Sequence, residues 1–208
     1  MCNYVHTCIW RVEYIPLDFP VKYGSSYLWV AADVYVEDDT CYIYGLRQDS
    51  VDGGLLRHLV IARTEDLRGR WEFYDGKVWG AEPCIVEGGP SDLSTEFSVD
   101  YFSPYKKYMM VYHNDQAKER ILKSSVLCRW SDSPLEPWSE PQLLYTPPEV
   151  VENENLWAYA IKAHYPHLSE DKMSIVVSYV VRSYSEEETL SSPELYVPYF
   201  VKITFASR

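Results

Sequence analysis

Ser94-Thr95-Glu96-Phe97-Ser98-Val99-Asp100-Tyr101 and Lys107-Tyr108-Met109-Met110-Val111-Tyr112 open a stretch, Leu93 to Tyr145, that holds one complete structural unit. Ile121 to Trp130 and Trp138 to Tyr145 continue it. Alternation, together with many β-branched and aromatic residues, predicts four short strands. The segments between them, Ser103-Pro104, His113-Asn114-Asp115-Gln116 and Asp132-Ser133-Pro134-Leu135-Glu136-Pro137, carry turn chemistry. The stretch reads as a four-stranded antiparallel meander.

Working outward, parts of this unit recur on both sides. Arg129-Trp130-Ser131-Asp132 with Trp138 nine residues after the arginine is echoed by Arg63-Thr64-Glu65-Asp66 with Trp71 eight residues after. Tyr42-Ile43-Tyr44 and Ile175 to Tyr179 stand where Tyr108 to Tyr112 stands in the middle unit. The first strands fall near Leu28, Ser94 and Trp157, a period of about 65 residues, which suits propeller blades with long loops. The predicted blade-like units are 28–79, 93–146 and 157–205, with an extra outer strand at 5–14. In the first unit the strands are Leu28 to Val36, Thr40 to Leu46, Leu56 to Arg63 and Trp71 to Tyr74. Glu37-Asp38-Asp39 forms a hairpin turn, and Gln48 to Gly54 a polar connection. In the third they are Trp157 to His164, Lys172 to Val181 and Tyr196 to Phe205. Pro147 to Asn155 reads as an acidic loop, and Ser183 to Pro193 as a mobile acidic one.

The 208 residues, 47% of them hydrophobic, suffice for one folded domain. A net charge of −12 argues against nucleic acid and anionic membrane surfaces as partners, because both require a basic footprint. Nineteen tyrosines and seven tryptophans suit strands and also sugar-facing surfaces. Cys2, Cys8, Cys41, Cys84 and Cys128 have neither zinc-ligand spacing nor a disulfide pattern, and read as buried small apolar residues. No run of 18 apolar residues is present, and Met1 to Tyr14 lacks the features of a signal peptide. As written, the chain is expected in the cytoplasm. Oligomeric state is not legible.

Three blades fall below the usual range of about four to eight, and a five-bladed ring at this period needs about 325 residues. The expectation is an all-β propeller domain lacking one or two N-terminal blades, which would make the full protein secreted or periplasmic. The strand around Trp10 either completes the last sheet or is the outer strand of a missing blade.

Tyr42-Ile43-Tyr44-Gly45, Ala62-Arg63 with Trp71, Arg129 to Asp132 with Pro137-Trp138-Ser139, Tyr159 to His164 and Ser178-Tyr179 together resemble the five-bladed β-propeller glycoside hydrolase-like proteins. Within these the chain is most similar to bacterial propellers of unknown function related to endo-acting arabinan hydrolases. The resemblance covers residues 28 to 205 and corresponds to the later blades. It implies a carbohydrate ligand and hydrolysis of glycosidic bonds in plant or microbial polysaccharide. One departure is that Tyr165 separates His164 from Pro166, where the family pattern has His directly before Pro.

Glycosidic hydrolysis uses two carboxyl groups flanking the bond, one as acid and the other as base or nucleophile. The first strand of each unit should face the central channel. Glu96, near the start of its strand, is the candidate general acid, and Asp33 the candidate base or pKa modulator. Asp100 reads as structural. Lys162 and His164 share one side of the third first-strand and are candidate substrate contacts. His164 is also read as a core histidine, or as holding a channel ion such as calcium through water; otherwise no cofactor is expected. Trp157 and Tyr159 suit a sugar face. His113, Asp115 and Arg47 occupy second-to-third connections and are candidate sugar contacts, although a solvated turn fits them equally well. Trp71 and Trp138 recur at a fixed place and read as packing residues. No G-x-S-x-G, P-loop, H-E-x-x-H or dinucleotide fingerprint is present. Two other readings stand beside the enzyme: a non-catalytic carbohydrate-binding propeller and a truncated, inactive fragment.

Overall fold

Residues 26 to 51 form a long hairpin around the two-residue turn Asp38-Asp39, and the first sheet grows from it. The computed structural model describes residues 13–14, 16–17, 21–51, 54–165 and 173–206. The first sheet is a meander of β1 (Lys22–Tyr23), β2 (Ser26–Glu37), β3 (Thr40–Val51), β4 (Gly54–Thr64), β5 (Glu72–Tyr74) and β6 (Trp79–Gly80). The second comprises β7 (Ser98–Phe102), β8 (Lys107–Tyr112), β9 (Val126–Ser131) and β10 (Gln142–Tyr145). The third comprises β11 (Leu156–His164), β12 (Ser174–Ser183) and β13 (Pro198–Thr204). All strand pairs within these sheets are antiparallel. The all-β, blade-like architecture expected from the sequence is present.

The middle sheet is buried on both faces. Met109 and Val111 of β8 pack with Ile175, Val177, Tyr179 and Val181 of β12. Met110 and Tyr112, pointing the other way, pack with Tyr44, Leu46, Leu59 and Ile61 of the first sheet. A strand's side chains alternate between faces, so a strand between two neighbours must be apolar at every position, as Tyr108 to Tyr112 is. β12 has one buried and one half-buried face, and its burial alternates accordingly. Trp71 and Trp138 do pack structurally. Their indole N–H groups donate to the carbonyls of Leu67 and Leu135, at 3.2 and 3.0 Å.

Several predicted elements are corrected. Ser94 to Phe97 is irregular and β7 starts only at Ser98, because Ser94 and Thr95 hydroxyls bond within the segment itself. β3 runs through Gln48 to Val51, where a loop is expected, by pairing with Gly54 to Arg57. Ile121 to Lys123 belongs to a helical turn, α1 (Arg120–Lys123), ahead of β9. The acidic loops contain α2 (Pro148–Glu152) and α3 (Glu186–Ser191); Ser185 caps α3 by accepting the Glu188 N–H. Residues 5–12 of the predicted outer strand, and Cys2, Cys8 and Pro166, lie outside the described residues.

Two of the innermost strands share an irregularity. Asp33 pairs with Tyr44 and Trp29 with Leu46, so Val30, Ala31 and Ala32 all lie opposite Gly45. In β11, Ala160 and Ile161 lie opposite Tyr179. Ala31 and Ala160 have φ of 59° and 53°, the left-handed region that a residue with a Cβ seldom enters. Each bulge precedes a charged residue by two positions, Asp33 in one strand and Lys162 in the other. Gly45 permits the first bulge, since a Cβ there would overlap the Trp29 carbonyl oxygen and come within 2.8 Å of Val30 Cα.

The first two sheets are also joined by charge. Buried Arg57 on β4 binds the Asp115 carboxylate from the β8–β9 connection and donates to Gln48 Oε1 at 2.9 Å. Asp92 accepts hydrogen bonds from Tyr112 and Arg129, both at 2.9 Å. His113 is 1% exposed beside this network, and its Nδ1 has no hydrogen-bond partner. Burial holds it neutral, its pKa pushed down from 6.5 to about 4, with Arg57 and Lys123 adding to the effect and Asp115 opposing it.

Two outcomes follow for stability. Gly45→Ala should destabilise the fold by about 1 to 3 kcal/mol in urea unfolding, through overlap with the β2 bulge; unchanged stability contradicts the close approach. For His113, the unfolded chain takes up a proton as pH falls through 6.5, whereas the folded chain does so only near 4. The folded state therefore loses stability across that window, on the order of 2 to 3 kcal/mol. His113→Gln should lose correspondingly less between pH 7 and pH 4, and equal losses in both proteins contradict the assignment.

Candidate active site

The inner strands of the three sheets meet at one place. Asp33, just after the β2 bulge, reaches the second sheet: its Oδ2 accepts the Val99 N–H at 2.7 Å, while Oδ1 accepts its neighbour Val34 N–H at 2.9 Å. Lys162, just after the β11 bulge, reaches both other sheets, donating from Nζ to the Phe97 carbonyl at 2.7 Å and to the Ala32 carbonyl. Ala163 N–H donates to Ser98 Oγ at 2.9 Å, and Tyr165 Oη to the Met109 carbonyl at 2.9 Å. The bulges re-aim these side chains towards the junction.

The electrostatics of the junction follow from its burial. Desolvation raises the Asp33 pKa above the ordinary carboxylate value, against the opposing pull of the Val99 N–H, the Lys162 charge and the Val34 N–H. Desolvation also lowers the Lys162 pKa, while Asp33 first and Glu96 second favour its charged form. Asp100 is raised by burial and, after the opposing Tyr101 N–H, by the nearby Asp33. Glu96 is half-buried; its Oε2 accepts the Thr95 hydroxyl at 2.9 Å. Lys162 therefore lies within the influence of two carboxylates, Asp33 on β2 and Glu96 on the segment leading into β7. The grouping of partly buried Asp33, Asp100 and Lys162, each shifted from its ordinary pKa, marks a candidate site.

An aromatic face adjoins it. Trp157 and Tyr159 have ring centroids 4.8 Å apart with planes inclined at 31°, and Trp157 lies 6.2 Å from Tyr184 at 19°. Tyr159 feels the charges of both Arg182 and Glu96, which connects this face to the junction.

The other predicted residues are engaged elsewhere or, in the case of His164, bond to Ser178, which stands opposite Lys162 in the ladder. His164 bonds to Ser178 Oγ at 2.8 Å and lies 6.2 Å from the Phe200 ring, the setting of a hydrogen-bonded sheet residue. His113 is in the interior, which removes it from a solvent-facing sugar contact, because its connection folds back under Arg57. Asp115 is held by Arg57, and Arg47 by Asp49 at 3.0 Å with His58 nearby. Among the described residues, no three His, Cys, Asp or Glu side chains gather as metal ligands. Sequence reading missed Arg182, Tyr184 and Lys123. Arg182 is placed by its pairing opposite Trp157, a register that the sequence alone does not disclose.

Solved structures share this fold. A Bacteroides ovatus ATCC 8483 protein assigned as a hydrolase superposes with a TM-score of 0.55 at 16% identity, covering 86% of this chain and 61% of its own. A thermostable family-43 glycoside hydrolase superposes at 0.51 with 12% identity, covering 84% and 53% respectively. A GH62 hydrolase in complex with xylotriose gives 0.48 and 13%, covering 82% and 45%. The chain thus spans about 61% or less of these proteins' lengths. The resemblance to glycoside hydrolase-like propellers holds at the level of the fold. No curated protein matches the chain by sequence. A family model matches residues 16–205, and the chain belongs to that family, the domain of unknown function DUF5005.

Proposed function

We propose that this chain binds carbohydrate at the junction of its inner strands and contributes to hydrolysis of a glycosidic bond in plant or microbial polysaccharide. The observation that carries the reading is that Lys162 donates to the carbonyls of Ala32 and Phe97, the sequence neighbours of Asp33 and Glu96, from the strand that also carries the Trp157 and Tyr159 rings. Glu96 is the general acid: its carboxyl proton passes to the glycosidic oxygen as the bond to the anomeric carbon breaks. Asp33 serves as base, taking a proton from the water whose oxygen bonds to the anomeric carbon, or as pKa modulator. Lys162, donating to the Phe97 and Ala32 carbonyls, holds the segments that carry Glu96 and Asp33 in one frame. The aromatic rings offer flat apolar surface to the face of a sugar. The fold shared with glycoside hydrolases supports this assignment by analogy.

One observation favours a second reading, a carbohydrate-binding propeller without catalysis. Both Asp33 oxygens already accept backbone N–H groups, so this carboxylate is engaged in joining two sheets.

The test is release of reducing ends from arabinan, xylan and mixed microbial glycans, with Glu96→Gln beside the parent. The enzyme reading predicts release that falls by about 100-fold or more in the variant, with sugar binding retained. A parent that binds oligosaccharide without releasing reducing ends selects the binding module. A parent that does neither contradicts both.

A further inference from the structure

Arg182 differs from six other arginines of the chain, of which Arg120 donates to main-chain carbonyls. Arg47, Arg57, Arg63, Arg68 and Arg129 each hold a carboxylate. Arg182 has no carboxylate partner among the described residues, although the chain carries a net charge of −12. Its Nε is shut away from solvent with no hydrogen-bond partner. A buried donor without a partner is costly, and an incoming acceptor relieves that cost; the rest of the half-buried side chain borders open space.

Its surroundings indicate what kind of anion. Arg182 stands directly opposite Trp157 in the β11–β12 ladder, its guanidinium carbon 5.8 Å from the indole centroid. Trp157, Arg182, Ser183, Tyr184 and Lys123 line an open cleft of about 250 Å³. Lys123, at the end of α1, likewise has no carboxylate partner among the described residues and brings a second positive charge to the same cleft. The Trp157 and Tyr184 rings, 19° from parallel, supply a flat apolar wall. Flat aromatic surface beside two cations suits a ligand with an apolar ring face and a carboxylate at the ring's edge. A hexuronic acid has that form, and the planar guanidinium matches a planar carboxylate.

We propose that the Trp157–Arg182–Lys123 cleft is a subsite for the carboxylate of an acidic sugar, so that the polysaccharide bound at the neighbouring junction contains uronic acid. The inference rests on the carbohydrate reading above and adds a substrate class to it. The two sites share β11, on which Trp157, with the Tyr159 ring 4.8 Å away, and Lys162 all lie.

Calorimetric titration of trigalacturonate, of its methyl ester and of neutral xylotriose tests this. The two galacturonate ligands share ring geometry and differ in charge. The parent should bind the acid at least about tenfold more tightly than the ester, with the gap narrowing as salt rises. Arg182→Gln should remove the gap, and Lys123→Gln should narrow it. Equal binding of acid and ester by the parent, or a gap that survives in Arg182→Gln, overturns the inference. Binding of xylotriose alone overturns it and spares the carbohydrate reading. Binding of none of the three overturns the inference and contradicts that reading as well.

Discussion

The Lys162 ammonium, bonded to the carbonyls of Ala32 and Phe97, is the contact on which the arrangement of the three sheets turns. It leaves the third sheet and ends on main-chain atoms of the first and second. A buried ammonium must be paired, and here two carbonyls and the Asp33 and Glu96 charges supply the compensation. Asp33 completes the tie in the opposite sense, leaving the first sheet to accept an N–H of the second. Apolar packing makes the sheets adhere to one another; these two charges fix where their inner edges meet.

Both charges are delivered by the same backbone device. An alanine with positive φ two residues earlier breaks the strand register in β2 and again in β11, and the bulged strand turns its next charged side chain inward. Strain of this kind persists where the surrounding structure enforces it, and such places are frequently functional. Gly45 shows the surroundings of the first bulge being shaped for it. The middle sheet lacks a bulge at the corresponding place. Its inner strand instead stays irregular until Ser98, which leaves Glu96 on a non-strand segment with freedom to face the same junction.

This explains what could and could not be read from the sequence. Strand identity in β8 and β12 was legible because burial on two faces or one leaves a direct imprint of continuous or alternating apolar residues. The packing role of Trp71 and Trp138 was legible from their repeated spacing. Glu96 and Asp33 are legible from the chemistry expected of inner strands, but Glu96 lies ahead of its strand and not within it. His113 read as a turn residue because its neighbours Asn114 and Asp115 are turn formers; its burial depends on Arg57, 56 positions earlier. Arg182 and Lys123 were invisible because partnership with Trp157 arises from cross-strand register and from the fold of α1, neither of which has a local signature.

Titration of the Asp33 carboxyl carbon by nuclear magnetic resonance, in the parent and in a folded Lys162→Met variant, tests the central claim most directly. If Lys162 joins the sheets at this junction, removing its charge takes away a favourable partner of the Asp33 carboxylate, and Asp33 titrates at higher pH in the variant than in the parent. An Asp33 titration that does not move would place Lys162 elsewhere and contradict the convergence of the three inner strands on a single charged site.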